Sequence, residues 1–321
     1  MRTAFMKTIV LVMLFTNSVY CAELNSQFNF KKSKPGVELF ENGKPVFYYQ
    51  KEPKTLTGEY YCNNYLHPLY TLDGDTLTEE FPADHPYHRG IYWAWHQIYK
   101  DNQKIGDSWM MENISFDVVK IKTNTDRGKA QLNVKVLWKS SVFQSGKPFM
   151  NEQTSITVHE LHSNLREIDF EIMLNPLVPG IQIGGSEDEK GYGGFCARIK
   201  LPDGLVFTSE KGEVIPQLLV VKRGPWIDFS VPFGKHGELH GITVLCHPSM
   251  PNYPESWILR YKDASMQNIV FPSKERIELS MNKPTVLRYR VVIHKGNSAQ
   301  MDMTKIMSQY GKTYSKNYYW Y

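Results

Sequence analysis

Strict alternation of polar and apolar residues is the feature that most restricts the fold of this chain. The run Lys129–Ser140 alternates throughout, and two similar runs follow it, Thr154–Leu161 and Leu165–Leu174. One face of the first run consists of Leu132, Val134, Val136 and Trp138. Because successive side chains of a strand point to opposite sides of a sheet, each run predicts a strand with one buried face. Three such runs in close succession predict an antiparallel meander.

The rest of the chain repeats this pattern, with turn residues between the runs. Asn42-Gly43 separates two alternating runs within Val37–Tyr49 and predicts a β-hairpin with a type I′ turn. Helical periodicity is confined to Ala299–Tyr310. Many short strands and almost no helix are typical of sandwiches and barrels. We therefore predict an all-β fold, a large antiparallel two-sheet sandwich that forms a single catalytic domain over residues 22–321.

Residues 1–21 are predicted to be a leader and not part of the fold. Arg2 and Lys7 precede the apolar run Thr8–Phe15, which is the pattern of a secretory signal peptide cut near Cys21 or Ala22. A lipoprotein anchor on Cys21 is the alternative. No other run approaches the roughly 18 apolar residues that a membrane span needs. We therefore expect a periplasmic or secreted protein without a membrane span.

Charge and cysteine content argue against several classes of function. The chain has 37 Lys and Arg against 33 Asp and Glu, and two of the cations lie in the predicted leader. The remaining net charge of about +2 predicts neither nucleic-acid binding nor membrane adhesion. Three cysteines remain, Cys62, Cys196 and Cys246, each among apolar or aromatic neighbours. We expect buried thiols with at most one disulfide, and their spacing matches no zinc pattern.

The densest group of chemically active residues lies in Phe81–Tyr99, which holds three of the ten histidines. Pro82 and Pro86 predict a turn-rich loop in its first half, whereas the second half has the aromatic and β-branched residues of a strand. In a strand, Ile91, Trp93 and Trp95 follow Arg89 on one face, and the other face carries His88, Gly90, Tyr92, Ala94 and His96. The histidine spacing also fits a helix, but the glycine and the aromatic residues favour the strand. The second face resembles the floor of a binding site.

Two loops add further candidates. Gly184–Gly194 contains five glycines around Glu187 and Tyr192, and such glycine density permits close approach of the backbone to a ligand. A solvated loop is the alternative. Cys246–Trp257 contains three prolines, which stiffen the loop that carries His247. An ordinary connection, whose histidine bonds to the backbone, is the alternative here.

A sugar is the ligand that these residue types suit best. Aromatic rings stack on the C–H face of a sugar, and fixed polar groups bind its hydroxyls. A shared metal ion is not expected, because His88 and His96 on one straight strand would lie ~26 Å apart. No cofactor is expected, and the chain lacks the Gly-x-Ser-x-Gly motif of a nucleophilic serine. In an exported protein we expect an oligosaccharide substrate.

Three segments together resemble a bacterial family that is often labelled "methane oxygenase PmoA" or a domain of unknown function. They are His85–His96, Gly191–Phe195 leading to Arg198, and His247–Trp257. The resemblance covers most of the mature chain and implies a galactose-mutarotase-like supersandwich, a group that includes epimerases and polysaccharide lyases. The oxygenase label does not suit a chain without a membrane span. Some members of the narrower family resemble dehydratases that act on uronic acids ending algal oligosaccharides, such as those from ulvan.

The resemblance implies a carbon–oxygen lyase that removes water from a terminal uronic acid and leaves a 4,5-unsaturated uronate. This elimination needs a cation for the carboxylate, a base for the C5 proton and an acid for the leaving hydroxyl. We expect Arg89 to hold the carboxylate. The base would be His88 or Tyr192, and the acid would be His247 or Glu187. Sugar contacts are expected from His85, Trp93, His96 and Arg260. Since His88 and Arg89 point to opposite faces of a regular strand, both can act only if the strand begins after them.

Three alternatives use the same scaffold. A mutarotase or epimerase needs a histidine and a glutamate beside a sugar oxygen but no clamp for a carboxylate, so the position of Arg89 discriminates. A glycosidase needs two carboxylates about 5–9 Å apart, for which Glu187 and Glu189 are the obvious source. In a non-catalytic sugar-binding protein, substitutions in the histidine-rich stretch would weaken binding alone.

Overall fold

A computed structural model of the chain describes residues 27–233, 237–261 and 266–314. The predicted leader, residues 1–21, lies outside this range and stays a prediction. Within the range there is no helix long and apolar enough to cross a membrane.

Most of the described chain is β-strand. The strands are β1 (Phe28–Lys32), β2 (Gly36–Glu41), β3 (Lys44–Gln50), β4 (Tyr65–Leu69), β5 (Ile91–Trp95), β6 (Gln97–Lys100), β7 (Gln103–Gly106), β8 (Ile114–Asp126), β9 (Lys129–Ser140), β10 (Pro148–His159), β11 (Leu165–Pro176), β12 (Ile181–Gly184), β13 (Gly193–Ala197), β14 (Val206–Ser209), β15 (Gly212–Glu213), β16 (Trp226–Pro232), β17 (Leu239–Cys246), β18 (Ser256–Ile258), β19 (Gln267–Val270), β20 (Ile277–Glu278) and β21 (Thr285–Lys295). The described residues add one α-helix, α1 (Met303–Gly311), and two short 3-10 turns, Gln144–Gly146 and Ser298–Gln300.

Two large antiparallel sheets form a sandwich around one core. The first has eight strands in the order β1-β2-β3-β4-β5-β13-β19-β18, and the second has nine in the order β15-β14-β16-β17-β21-β11-β10-β9-β8. Apolar side chains from both sheets make up one contiguous buried cluster, so the core lies between their inner faces. The predicted all-β two-sheet sandwich is confirmed. A third sheet of four strands, β20-β12-β6-β7, is an addition that the sequence did not predict.

The patterned segments fold as their alternation predicts. Asn42 and Gly43 have φ angles of 51° and 80°, as a type I′ turn requires, and they join β2 to β3. The meander is formed by β8, β9, β10 and β11, which pair in sequence. The predicted inner face of β9 is buried in the core: Leu132, Val134, Val136 and Trp138. The three cysteines are buried free thiols.

Strand β5 lies at the centre of the first sheet and serves both of its faces. Ile91, Trp93 and Trp95 belong to the core between the sheets, whereas Tyr92 and Ala94 belong to a second cluster on the outer face. The strand begins at Ile91, after His88 and Arg89. These two side chains are therefore not forced to opposite faces of a regular strand, which was the condition for both to act. At His96 the chain leaves this sheet and enters the four-stranded one.

Gly90 makes this entry into β5 possible. Its φ is +53°, and a Cβ at this position would lie 2.0 Å from the carbonyl oxygen of Leu66 on β4. Only a residue without a side chain can adopt this conformation so close to the neighbouring strand. The glycine thereby sets the direction in which the two preceding side chains leave the backbone.

We expect Gly90→Ala to destabilise the protein more than Gly74→Ala. Gly74 also has a positive φ, +95°, but nothing lies within 4 Å of a Cβ there, so its substitution carries only the backbone strain of about 1–2 kcal/mol. At Gly90 a steric clash with β4 adds to that strain. Urea unfolding of the two variants measures the difference, and equal losses of free energy would contradict this role of Gly90.

Candidate active site

The outer face of the eight-stranded sheet carries a second set of packed side chains, here called the outer-face cluster. Its buried members are Cys62, Tyr65, Phe81, Tyr92, Ala94, Trp109, Cys196 and Met266, and Tyr87, Met110, Met111 and Tyr192 pack against them. An exposed sheet face would ordinarily be polar. A face covered by rings and sulfur atoms, with polar groups around them, is instead typical of a ligand site.

Trp109 is the centre of this cluster. Its ring is only 3% exposed, and four other rings surround it. The ring centroids of His96, Tyr192, Tyr92 and His88 lie 5.0, 5.5, 5.8 and 6.0 Å from that of Trp109. Three of the residues expected from the sequence to contact or convert a sugar, His88, His96 and Tyr192, therefore lie around one tryptophan.

Asp107 fixes both Trp109 and His96. One carboxylate oxygen accepts the amide hydrogens of Trp109 at 2.9 Å and Met110 at 2.8 Å. The other oxygen accepts a hydrogen bond from Nδ1 of His96 at 2.9 Å. Because Nδ1 carries the proton of this bond, the lone pair of the neutral ring lies on Nε2. Among the described residues Nε2 of His96 has no partner, and the side chain is 22% exposed, so it is available as a general base.

Tyr192 is held by a cation. Its hydroxyl oxygen accepts hydrogen bonds from Nε and Nη2 of Arg260, the first at 3.1 Å. Arg260 is buried and also donates to the carbonyl oxygens of Gln217 and Leu218, so its position is fixed. A guanidinium at this distance stabilises negative charge on the phenol oxygen. The phenol oxygen is therefore held in place by two bonds that it accepts, and its own hydrogen is left to be donated elsewhere.

The glycines near Tyr192 allow backbone segments to meet. A Cβ on Gly185 would lie 2.1 Å from the carbonyl oxygen of Gly191, and one on Gly193 would lie 2.9 Å from Cα of Gly185. Glycine density here thus serves the close packing of the loop that presents Tyr192. The tip of the loop, Glu187 to Glu189, is exposed to solvent, and a ligand-wrapping role of the loop stays a prediction.

His88 lies deeper in the cluster, between another histidine and an arginine. Its ring stacks on that of His85 at 4.8 Å with an interplanar angle of 3°, and Nη1 of Arg198 lies 3.5 Å from its Nδ1. Arg198 is itself paired with Glu79 and Asp84. Burial, with help from His85 and the arginine, lowers the pKa of His88 from 6.5 to about 2. The ring is therefore neutral at physiological pH and orients its neighbours.

Arg89 has a different role from the one expected of it. It is 1% exposed and donates hydrogen bonds to the carbonyl oxygens of Tyr87 and Ser108, each at 3.1 Å. Its guanidinium lies 4.5 Å from the ring centroid of Tyr92. In this position it supports the outer-face cluster from within the protein and cannot bind a substrate carboxylate directly.

Three other predicted site residues lie outside the cluster. Trp93 is 2% exposed and points into the core between the sheets, because it occupies the opposite face of β5. His247 is hydrogen bonded to Ser249 and to the carbonyl oxygen of Tyr310, so it anchors α1 to the other sheet. Glu187 is exposed beside a separate cleft of about 310 Å³ near the four-stranded sheet.

Sequence reasoning missed three members of the site. Asp107 and Trp109 lie in the segment that follows β7, and Arg198 was noted only as the end of a motif. The Asp-Ser pair before Trp109 is a turn signal. It is the one local indication in the sequence that Asp107 lies in a turn. Nothing local indicates that the turn folds back over β5, since that contact depends on the pairing of Ser108 with Trp95.

Two further groups of ionisable residues have structural roles. Among the described residues, Asp73, Glu238 and His240 could together offer ligand atoms to a metal ion, but Nζ of Lys295 lies 2.8 Å from the carboxylate of Asp73 and supplies the positive charge. Elsewhere, the buried carboxylate of Asp228 accepts hydrogen bonds from His294, Thr243, Ser230 and the amide of Ser298. The serine donates to the aspartate and not to the histidine, so this is not a nucleophilic triad.

Comparison with known proteins identifies the family. Residues 36–308 match a family of unknown function (DUF6807), and the chain belongs to that family. Among curated protein sequences none matches the chain. Similar solved structures include a candidate mutarotase, YeaD, from Salmonella typhimurium. It is 10% identical over 85% of this chain and 92% of that chain, with a TM-score of 0.34. A likeness of this degree says nothing of what the chain binds, and the expected relation to uronate dehydratases stays a prediction.

The low pKa of His88 predicts how stability depends on pH. The folded chain keeps His88 neutral down to about pH 2, whereas the unfolded chain binds a proton below about pH 6.5. Stability is therefore lost as the pH falls through 6.5, by about 2 kcal/mol between pH 7 and pH 5. We expect His88→Gln to reduce this pH dependence by that amount in urea unfolding. The exposed His162 is the control, because His162→Gln should leave the wild-type dependence unchanged.

Proposed function

We propose that this protein is a sugar-converting enzyme, a mutarotase, whose site is the outer-face cluster. The observation that carries the proposal is the placement of His96 and Tyr192 against the same tryptophan, each held by a charged partner. An acid and a base that are both held in place against one ring can transfer protons on a bound sugar.

The chemistry needs only two proton transfers. His96 takes the proton of the anomeric hydroxyl on its free Nε2, and Tyr192 gives its proton to the ring oxygen. The bond between C1 and the ring oxygen breaks, which leaves an open-chain aldehyde. Rotation about the C1–C2 bond and closure on the other face of the carbonyl return both protons. Asp107 stabilises the imidazolium that forms, and Arg260 stabilises the phenolate.

Elimination of water from a uronic acid is the second candidate. It was first expected with Arg89 as the clamp for the carboxylate, a role that its buried position does not support. Nζ of Lys190, however, lies 5.8 Å from the ring centroid of Tyr192 and is a cation of the kind that such a reaction needs. His96 would then take the C5 proton on its free Nε2, and Tyr192 would protonate the leaving hydroxyl. The glycosidase alternative has less support, since Glu189 is exposed and pairs with Lys274.

We expect the protein to accelerate the mutarotation of at least one aldose, and His96→Gln, Asp107→Asn and Tyr192→Phe each to reduce the rate by at least about 100-fold. Polarimetry of freshly dissolved anomers, over a panel of common aldoses, measures the rate. His159→Gln is the matched control, because His159 forms a similar pair with Asp169 at 2.8 Å on the other sheet. It should leave the rate unchanged.

The same protein preparations separate the competing functions. The second assay follows the ultraviolet absorbance of an unsaturated uronate, with oligosaccharides that end in a uronic acid as substrates. A rise in this absorbance would show that the protein is a dehydratase and not a mutarotase. In that case Lys190→Ala should raise KM. If neither reaction occurs while sugars still bind, the protein is a binding protein and the proposal fails.

A further inference from the structure

A cavity lies on the same outer face, beside the cluster. This cleft, of about 540 Å³, is formed by β3, β4 and the segment that follows β3. Its lining residues are Pro35, Tyr48, Gln50, Glu52, Pro53, Lys54, His67, Pro68 and Glu80. The volume is in the range of small-molecule sites, and no step of the proposed reaction uses these residues.

The cleft offers an aromatic surface. A Cβ on Gly36 would lie 2.5 Å from both Cζ and Oη of Tyr48, so the hydroxyl end of the tyrosine ring packs closely against the backbone of β2. The ring is half-buried and lines the cleft. Glycine at position 36 therefore leaves room for the ring, and an aromatic ring beside the apolar surfaces of three prolines is suited to the C–H face of a sugar.

The polar groups of the cleft suit hydroxyls more than charges. Nδ1 of His67 is hydrogen bonded to Oγ1 of Thr78 at 3.0 Å, and its other ring nitrogen has no partner among the described residues. Burial lowers the pKa of His67 from 6.5 to about 4, so the ring is neutral at physiological pH. The lining contains two carboxylates, Glu52 and Glu80, against one lysine, a balance that favours an uncharged ligand over an anionic one.

Glu80 joins the cleft to the outer-face cluster. Its carboxylate accepts a hydrogen bond from the hydroxyl of Tyr65, a member of the cluster, at 2.5 Å. It also pairs with Lys54, which lines the cleft. The carboxylate of Glu80 thus contacts both the cleft and the outer-face cluster. A ligand that extends from the cluster along the sheet face towards β3 would enter the cleft.

We propose that the cleft binds a further, uncharged sugar unit, so that the substrate is an oligosaccharide and not a single sugar. This inference rests on the proposed function of the neighbouring cluster. Tyr48 supplies the stacking surface, and His67 and Gln50 supply the hydroxyl contacts.

Calorimetric titration tests the cleft without any need for turnover. The probes are reducing oligosaccharides of two and four units from the glucose, galactose, mannose and xylose series, with the parent monosaccharides, added to full-length His96→Gln protein. We expect at least one oligosaccharide to bind more tightly than its monosaccharide. In the same background Tyr48→Ala should reduce the affinity for that oligosaccharide about tenfold, and the affinity for the monosaccharide should not change. Tyr48→Phe keeps the ring and should restore the affinity.

The controls separate this proposal from the proposed function. Gln153→Ala alters a groove of about 230 Å³ on the other sheet and should change no affinity. His67→Gln gives a second test if Tyr48→Ala does not fold. It should also reduce the affinity for the oligosaccharide and leave that for the monosaccharide unchanged. If no oligosaccharide binds more tightly than its monosaccharide, or if both cleft variants bind as the parent does, the cleft proposal is overturned. Absence of turnover in the wild type would overturn only the mutarotase.

Discussion

The alternation of side chains along β5 is the constraint on which the rest of this structure depends. Ile91, Trp93 and Trp95 fill the core between the two large sheets, and Tyr92 and Ala94 form the floor of the outer-face cluster. The same five residues therefore stabilise the sandwich and shape the candidate site. This explains why the stretch is so rich in aromatic residues. Both of its faces are covered by protein, whereas a strand of an antiparallel sheet commonly has one face exposed to solvent.

Asp107 is the second determinant of the site. A single carboxylate binds two backbone amides of the turn that carries Trp109 and also orients His96. Charge-assisted hydrogen bonds of this kind are short and directional, so the tryptophan and the histidine keep a fixed distance. Tyr192, which directly precedes β13, packs against the same tryptophan, and Arg260 holds its hydroxyl. The site is thus assembled from four separate parts of the chain, which hydrogen bonds and ring contacts join above the sheet.

The sequence predicted the fold well because period-two patterns and turn residues are local signals. The hairpin at Asn42-Gly43 and the meander of β8 to β11 both follow from them. The site was predictable only in part. His88, His96, Tyr192 and Arg260 lie in or against the cluster, but Trp93 faces the core, and His247 anchors α1 on the other sheet. Which side of a sheet a loop covers depends on contacts far apart in sequence, and Asp107 and Trp109 enter the site only through such contacts.

The double use of β5 also bears on how this family can change over time. If a single residue were inserted or deleted between Ile91 and Trp95, every later side chain would exchange sides. Tryptophans would then lie in the site, and tyrosine and alanine in the core, so stability and ligand binding would be lost together. Length variation is thereby excluded from the strand that carries the site. New specificities can arise only by substitution on the outer face or by changes in the loops around it, such as the segment that bears Tyr192 and the one between β3 and β4.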